Sequence, residues 1–503
     1  MNDKNKCKTI MVQGTASHVG KSLLVTALCR IFSDMGYRVA PFKSQNMSLN
    51  SYVNETGEEI ARSQIVQAIA ARTKPIAEHN PILLKPKGEE SSQIILMGKP
   101  YKDYTVGNYY RDHIPQLIPY IKIALNNLQK NNDIIVIEGA GSPAEINIME
   151  RDIANMYVAK LSKAPVLLCA DIDRGGVFAS IYGTIKLLPK DEQDLVKFFV
   201  INKFRGNNEL LKDGIDQIEL LIEKKCVGVL PYLQDLRIPA EDSVSLNEGK
   251  KKGNIKIKVI KLPQISNFND FEPLEWEPEI QVSYISEPED LNNADLVIIP
   301  GTKNTVKDLL WMNEKGFSAK LNSLIKSGTL IAGICGGYQM LGNSILDKAI
   351  EGESDNEYKA LGFLPIKTEF LAYEKITRQV CSEIIGFSLF KGIPIEGYEI
   401  HMGKITYLDG AIPLLQVKNG TNNTFDGAIN KQNNVFGSFI HGIWNNDRFR
   451  KEFIRFLAKK KNRTNVKVEK QSYNDIIETN IQKLAHSVKE NINIAQILAE
   501  LGL

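Results

Sequence analysis

The sequence predicts an α/β protein with two domains within its 503 residues. The first 235 residues alternate short apolar strands with amphipathic helices, which is typical of a doubly wound parallel sheet. A polar, lysine-rich stretch then precedes a second alternation of strands and helices that begins at residue 255. Each half contains a glycine-rich turn between a strand and a helix. We therefore expect domains at 1–235 and 255–455, a linker at 236–254 and a helical tail at 456–503.

Composition narrows the class of protein. A hydrophobic fraction of 43% and a charged fraction of 24% are those of a globular protein, and a net charge of +3 is too small to predict nucleic-acid binding. No apolar stretch is long enough to cross a membrane, and the N-terminus lacks the apolar core of a signal peptide. The six cysteines are scattered without a CxxC pair, which favours a reducing cytoplasm over a disulfide framework or a structural zinc site.

The first strand, loop and helix predict a phosphate-binding site. Residues 9–13 are apolar, the glycine-rich loop 14–22 ends in Lys21 and Ser22, and apolar residues then recur with helical spacing. In such a unit the loop N–H groups and the positive helix end hold phosphates, while the lysine reaches the outer ones and the serine can touch Mg²⁺. The five residues between Gly14 and Gly20 resemble the longer loop of the dethiobiotin-synthetase-like P-loop enzymes. The alternative is a glycine turn before an ordinary helix.

The second strand, 37–42, is followed by a polar loop, 43–51. Ligands bind at the carboxyl ends of strands in open α/β sheets, so Lys43 is placed to meet an anion beside the first loop. A surface lysine is the alternative. The stretch 56–71 predicts a helix with Glu58 and Glu59 in its first turn, where a capping role is as plausible as metal binding.

Residues 92–97 predict a strand and residues 114–129 a helix. The apolar run 133–137 then predicts a buried parallel strand that delivers Glu138 to the ligand edge of the sheet. A carboxylate opposite the serine of a phosphate-binding loop is the usual way to hold Mg²⁺, although Glu138 could instead be structural.

Two later strands also end in polar groups. Residues 165–170 lead to Asp171, Asp173 and Arg174, which indicate a ligand site or, alternatively, a tight turn with an internal Asp–Arg pair. The strand that starts at Phe198 ends in Asn202, whose amide suits a hydrogen bond to a base edge. Residues 227–231 predict the last strand of this half.

The second half is centred on Cys335. Residues 255–260 and 295–299 predict strands, and the strand before Cys335 runs into a Gly-x-Cys-x-Gly turn and a helix. Glycines on both sides allow a sharp turn that projects the thiol and aims the next N–H at a developing oxyanion. The helix N-terminus in principle lowers the thiol pKa. The alternative is a buried structural cysteine.

A cysteine nucleophile needs a base. His441 follows a strand-like run far downstream, and His401 is the competing candidate. A histidine without further context is more often structural. A Cys–His pair on this scaffold would carry out thioester chemistry on an amide.

These segments together resemble the cobyric acid synthase family, the glutamine-dependent amidotransferases of cobalamin synthesis. The similarity spans about residues 9–450 and rests on these stretches: 13–22, 42–48, 138–147, 171–176, 333–337 and 397–403. It implies a P-loop, ATP-dependent synthetase domain joined to a triad-type, class I-like glutamine amidotransferase domain.

The resemblance also implies a cytoplasmic carbon–nitrogen ligase that uses ATP, Mg²⁺ and L-glutamine. Its substrate would be a corrinoid, adenosylcobyrinic acid a,c-diamide, amidated at four carboxylates through an acyl phosphate and released ammonia. A protected ammonia path between the domains is expected. No nucleic-acid or membrane partner is implied, and a homo-oligomer is possible.

The family roles map onto this chain by position. Cys335 would be the nucleophile, His441 its base, and Gly301 and Gly336 the oxyanion-hole donors. The residues implied for ATP are Gly14, Thr15, Ser17, Val19, Gly20, Lys21, Ser22 and Asn202. Those implied for the transferred phosphoryl group or the substrate are Lys43, Gln45, Asn46, Asp171, Asp173 and Arg174. Those implied for Mg²⁺ are Ser22, Glu59 and Glu138.

One departure concerns the triad. The histidine of ordinary triad glutaminases is followed by Pro-Glu, whereas His441 is followed by Gly442 and Ile443, so the third member is missing from its usual place.

Two other functions are compatible with parts of the pattern. Cobyrinic acid a,c-diamide synthase uses the same chemistry on other carboxylates, but stretches 42–48 and 138–147 favour the first assignment. A P-loop ATPase switch of the partitioning type, with an inactive second domain, is disfavoured by the turn at Cys335.

Overall fold

Two large sheets organise the chain, one in each half. A computed structural model describes residues 7–87, 91–105, 113–239, 253–352, 354–419, 422–463 and 465–503. Most of the predicted linker therefore lies outside the described residues. None of the described helices combines the length and apolar character needed to cross a membrane.

The first sheet has six strands, and all of its neighbours pair in parallel. Their spatial order is Lys225–Pro231, Val196–Phe204, Val166–Asp171, Lys8–Gly14, Ile134–Glu138 and Val39–Phe42. The central strands are apolar on both faces because helices cover both sides of the sheet. These helices are Lys21–Asp34, Arg62–Ala70, Ile114–Asn131, Met156–Ser162, Val177–Leu187, Lys190–Gln193 and Lys212–Ile222. The predicted doubly wound parallel sheet is confirmed.

Smaller sheets flank the first domain. One has four strands, Gln45–Met47, Ile82–Pro86, Ser91–Leu96 and Lys99–Thr105. The other is a hairpin of Ser51–Val53 and Glu59–Ala61.

The hairpin corrects the helix predicted at 56–71, because the helix begins only at Arg62. Asn54 accepts hydrogen bonds from the N–H groups of Thr56 and Glu58 at 3.1 and 2.8 Å, and Gly57 has a φ of +76°. This turn chemistry reverses the chain and makes Glu59 a strand residue.

The second sheet has nine strands and is mixed. Its order is Ile280–Ile285, Ile255–Ile260, Leu296–Ile299, Leu330–Ile334, Val435–Ser438, Asn422–Ile429, Ile412–Asn419, Lys375–Ile384 and Pro394–Met402. The first five strands pair in parallel and the others pair antiparallel. The helices are Glu272–Glu275, Thr305–Glu314, Phe317–Lys326, Gly336–Met340 and Asp447–Lys460. A four-stranded sheet adds Asp355–Lys359, Ser344–Lys348, Ile366–Phe370 and Lys404–Tyr407.

The C-terminal helices Tyr473–Asn491 and Ile494–Leu501 pack against the first domain. Ile481 and Leu484 join the core that contains helix Lys21–Asp34, and the Asn493 N–H donates to the Val227 carbonyl at 2.8 Å. The helical pattern of this segment was predicted as a tail, but the segment belongs to the core of the first domain. The core of the second domain extends as far as Ala458.

Candidate functional site

A cavity opens at the carboxyl edge of the first sheet. The strands that carry Gly14, Glu138, Asp171 and Asn202 all end there because parallel strands point the same way. The sequence-predicted residues that line the cavity are Ser17, Gly20, Lys21, Ser22, Lys43, Asn46, Glu138, Arg174 and Asn202.

The side chain of Lys21 folds back onto the glycine-rich loop. The Lys21 ammonium donates to the carbonyls of Ala16 and Gly141, both at 2.9 Å. The Thr15 N–H donates to the Cys169 carbonyl at 3.0 Å, which fixes the start of the loop. A Cβ atom at Gly14 would lie 2.8 Å from the Ala16 carbonyl oxygen, which is too close, so only glycine leaves room for this conformation.

Glu138 lies at the centre of the polar edge. Its Oε1 accepts hydrogen bonds from Ser22 Oγ at 2.9 Å and from Lys43 Nζ at 2.8 Å, and its Oε2 accepts one from Gln67. A hydroxyl and a carboxylate oxygen this close together are ligands of the kind that Mg²⁺ takes, alongside nucleotide phosphates. Ser22 and Glu138 therefore fit a magnesium site, and Lys43 lies directly beside it.

Asn202 supports the loop instead of pointing away from it. Its Nδ2 donates to the Val19 carbonyl at 2.8 Å, and its Oδ1 accepts the Lys203 N–H at 2.8 Å. Gly20 has a φ of +104°, and a Cβ atom there would lie 2.1 Å from Asn202 Nδ2. The amide that we expected at a base edge is thus bonded to the P-loop backbone.

Asp171 and Asp173 form ion pairs at the edge of the sheet where the cavity lies. Asp171 pairs with Lys203 at 2.8 Å, and Asp173 pairs with Arg205 at 2.9 Å. Both cations lie at the end of the next strand, so opposite charges meet across the sheet edge. The observed partner of Asp173 is thus Arg205 and not the adjacent Arg174, which lines the cavity.

Gln45 and Asn46 lie on the short strand that follows Lys43. Asn46 is buried, and its Nδ2 donates to Ser63 Oγ at 3.3 Å and to Gln64 Oε1 at 3.0 Å. Gln45 is half-buried on the same strand. This strand therefore presents Asn46 to the cavity with its orientation set by the helix that begins at Arg62.

The placement of Glu59 contradicts its expected role at magnesium. Its carboxylate binds Lys85 at 2.7 Å, Lys375, and Ser51 Oγ at 2.9 Å. Burial alone would raise the pKa of Glu59, but the two lysines outweigh it and hold the pKa well below its usual range. Because it lies on the hairpin strand, Glu59 faces the second domain, and its oxygens are taken up by ammonium groups.

The second site forms around Cys335. This residue joins strand Leu330–Ile334 to helix Gly336–Met340 with φ 53° and ψ −112°, a strained conformation for a non-glycine residue. A Cβ atom at Gly337 would lie 2.0 Å from the Ile299 carbonyl oxygen. The glycine therefore allows the turn to pack against the neighbouring strand, as the elbow interpretation requires.

His441 is oriented by Asp270. The His441 Nδ1 lies 2.6 Å from Asp270 Oδ2, and the Gly442 N–H donates to Asp270 Oδ1 at 2.9 Å. Burial by itself would lower the pKa of His441, but Asp270 and a hydrogen bond to Cys335 raise it to about 10. These contacts favour the imidazolium form of His441.

Sequence reasoning missed Asp270. It lies in the short helical turn Phe268–Phe271, which follows strand Ile255–Ile260. An acid in the polar segment after a parallel strand was the available signal, but nothing in the sequence connects it to a histidine 171 positions away. Its carboxylate contacts His441 Nδ1, where the residue missing after His441 would be expected to bind.

The remaining sequence-predicted groups lie close to the thiol. A Cβ atom at Gly301 would lie 3.2 Å from His441 Cε1 and 3.6 Å from Cys335 Cβ. Gly336 is the first residue of its helix, where the N–H makes no bond within the helix. His401 lines the same pocket, but it stacks on Phe439 and lies near Glu399, so His441 is the better placed base.

Both domains contribute charge to the pocket at Cys335. Lys303 and Lys375 of the second domain and Lys85 of the first line it, together with Glu351. Burial lowers the pKa of Lys375 to about 8, against the opposing effect of Glu59. Lys303 Nζ donates to Gln93 Oε1 of the first domain at 2.9 Å. The first domain therefore contributes Lys85 to the lining of this pocket and contacts Lys303 through Gln93.

Comparisons with known proteins agree with this geometry. Residues 10–246 match the CobQ/CobB/MinD/ParA nucleotide binding domain, and residues 256–449 match the CobB/CobQ-like glutamine amidotransferase domain. Among solved structures, PurLQS from Thermotoga maritima is 18% identical and matches 41% of this chain and 99% of its own with a TM-score of 0.32, which is too low to support an argument.

Three relatives match almost from end to end. Cobyric acid synthase of Pelotomaculum thermopropionicum is 45% identical over 99% of this chain and 97% of its own length. Probable cobyric acid synthase of Methanosarcina mazei is 46% identical over 99% of both chains. Cobyric acid synthase of Thermoanaerobacter sp. is 45% identical over 97% of both chains. This chain therefore belongs to the cobyric acid synthase family and is a ligase that takes its amido nitrogen from glutamine.

Proposed function

We propose that this protein converts the b, d, e and g carboxylates of adenosylcobyrinic acid a,c-diamide to carboxamides, which gives adenosylcobyric acid. ATP would bind at the P-loop cavity and glutamine at the Cys335 pocket. The observation that supports the proposal is that two separate clusters of polar side chains form. Ser22 and Lys43 bond to Glu138 in one, and His441 bonds to Asp270 beside Cys335 in the other.

Glutamine hydrolysis would begin with the Cys335 thiolate attacking the side-chain amide carbon. The N–H groups of Gly301 and Gly336 are suited to stabilise the oxyanion that forms. His441 then gives its Nε2 proton to the leaving nitrogen, the C–N bond breaks, and ammonia departs from a thioester. Water hydrolyses the thioester after His441 removes its proton, and glutamate leaves. Asp270 holds His441 in the required orientation throughout.

Amidation would take place at the other site. A substrate carboxylate oxygen attacks the γ-phosphorus of ATP, ADP leaves, and the acyl phosphate gives a good leaving group. Ammonia then attacks the acyl carbon and phosphate departs. Lys21 and Lys43 neutralise charge on the transferring phosphoryl group, and Ser22 and Glu138 would hold Mg²⁺, which adds positive charge there when bound.

Mass spectrometry of the reaction products tests this proposal. The purified protein would be incubated with ATP, Mg²⁺, glutamine and adenosylcobyrinic acid a,c-diamide. Each carboxylate converted to an amide lowers the product mass by the same small step, so four steps are expected. No change on that substrate, with two steps on cobyrinic acid, would instead assign the chain to cobyrinic acid a,c-diamide synthase.

A further inference from the structure

A segment of the first domain, residues 43–54, lies against the residues of the second domain that contact His441. The Phe268 N–H donates to Asn50 Oδ1 at 3.1 Å, and the Ser51 N–H donates to Asn267 Oδ1 at 3.0 Å. All four residues are buried, so these bonds lie away from competing water. The first domain thus fixes the point at which the Asp270 turn begins.

Asn267 is the residue that these bonds constrain. It has a φ of 52°, a left-handed conformation that asparagine adopts more readily than most residues, and the bond from the Ser51 N–H holds its side chain in place. Its Nδ2 lies 3.5 Å from His441 Nε2, and Asp270 follows three positions later on the same turn. A shift at Asn267 would therefore displace both the carboxylate at Nδ1 and the amide near Nε2.

A second contact lies on the face of the His441 ring. The Tyr398 ring stacks on the His441 ring with centroids 5.3 Å apart and an interplanar angle of 19°. The Tyr398 hydroxyl donates to the Ser51 carbonyl at 3.0 Å. Ser51 therefore bonds to Asn267 through its N–H and to Tyr398 through its carbonyl, and both of these residues lie against His441.

We propose that Asn50 and Ser51 are positioning residues for glutamine hydrolysis, so that the first domain completes the catalytic site of the second. They act through Asn267, Asp270 and Tyr398 and do not touch glutamine. The inference rests on the proposed role of Cys335 and His441 in glutamine hydrolysis. The same segment begins at Lys43 beside Glu138, so one short stretch of chain supports both reaction sites.

Asn50→Ala in the full-length protein is the first test. We expect kcat for glutamine hydrolysis to fall by about 10- to 100-fold with KM for glutamine little changed, because a small misplacement of the base weakens catalysis more than binding. The alkaline limb of the pH profile should move to lower pH, since Asp270 is less well placed to raise the pKa of His441. Amidation with ammonium salts and ATP should stay near the wild-type rate.

Two variants sharpen the result. Asn50→Asp keeps an oxygen acceptor for the Phe268 N–H and should restore most of the hydrolysis. Asn54→Ala is the matched control, because Asn54 is a buried asparagine of the same segment that bonds to Glu58, Thr56 and Pro75 within the first domain. It should not reproduce the shift of the pH profile.

If Asn50→Ala does not fold, Tyr398→Phe tests the same positioning role. It removes the bond to Ser51 but keeps the ring, so a smaller loss of kcat in the same direction is expected. Wild-type hydrolysis in Asn50→Ala, or equal losses with glutamine and ammonium, would overturn the inference. Failure of the wild-type protein to hydrolyse glutamine would overturn the proposed function instead.

Discussion

The two proposed reaction sites are built in different ways. The nucleotide cavity is formed mainly where parallel strands of one sheet end, and its groups follow their strands directly in the sequence. The pocket at Cys335 draws on segments that are far apart in the chain and on both domains. One site can therefore be read from local motifs, whereas the other depends on how distant loops and the two domains pack together.

The largest effect on activity is expected for Cys335→Ala, which should affect one site and not the other. Cys335→Ala should lower glutamine-dependent amidation by more than about 10⁴-fold, because the thioester cannot form. Amidation with ammonium salts should continue, since the P-loop cavity is untouched. Assays with both nitrogen sources measure the difference. Loss of both activities would show that the sites cannot be separated in this way.

Asp270→Asn tests the group that only the structure identified. We expect kcat for glutamine hydrolysis to fall by about 10²- to 10⁴-fold, because the imidazolium loses its orienting carboxylate. The pKa of His441 should drop, which moves the alkaline limb of the pH profile to lower pH. An unchanged profile would argue that another group sets this pKa.

The same pair predicts a pH dependence of stability. The pKa of His441 is raised in the folded protein from 6.5 to about 10, so the pair contributes its full stabilisation below about pH 6.5 and loses it as the pH rises through 10. The difference in free energy of unfolding between wild type and Asp270→Asn should therefore be largest just below about pH 6.5 and should shrink as the pH rises towards 10. Denaturant unfolding across this range measures it, and a difference that grows with pH would contradict the sign.

Glu138→Gln is the matching test in the first domain. We expect ATP-dependent amidation to fall by about 10²- to 10³-fold with either nitrogen source, since the oxygen pair with Ser22 loses its negative charge. Glutamine hydrolysis should be retained, because the triad lies elsewhere. The Mg²⁺ concentration needed for half-maximal activity should rise. Equal loss of glutamine hydrolysis would mean that the sites are more tightly linked than their separate geometries indicate.

The smallest effect on the reaction is expected for Glu59→Gln. The Mg²⁺ requirement should not change, because this carboxylate is bonded to lysines instead of lying at the P-loop. Stability should fall by about 3 kcal/mol, since the change leaves Lys85 and Lys375 buried without their counter-charge. A magnesium titration and denaturant unfolding together check this. A large rise in the Mg²⁺ concentration needed for half-maximal activity would instead indicate that Glu59 is a magnesium ligand.

The sequence by itself determined the features that depend on neighbouring residues. Strand runs and their following polar groups predicted the parallel sheet, the P-loop and the position of Glu138. The glycines around Cys335 predicted the elbow, because a sharp turn and close packing require small residues in that short stretch.

Only the tertiary structure decided which distant groups meet. Asp270 reaches His441 because two loops pack together. Glu59 pairs with Lys85 and Lys375 because Asn54 and Gly57 reverse the chain before it. Asp171 and Asp173 pair with cations of the next strand. Periodicity shows which face of an element is buried, but the partner of a buried charge is set by whichever opposite charge the fold brings within reach.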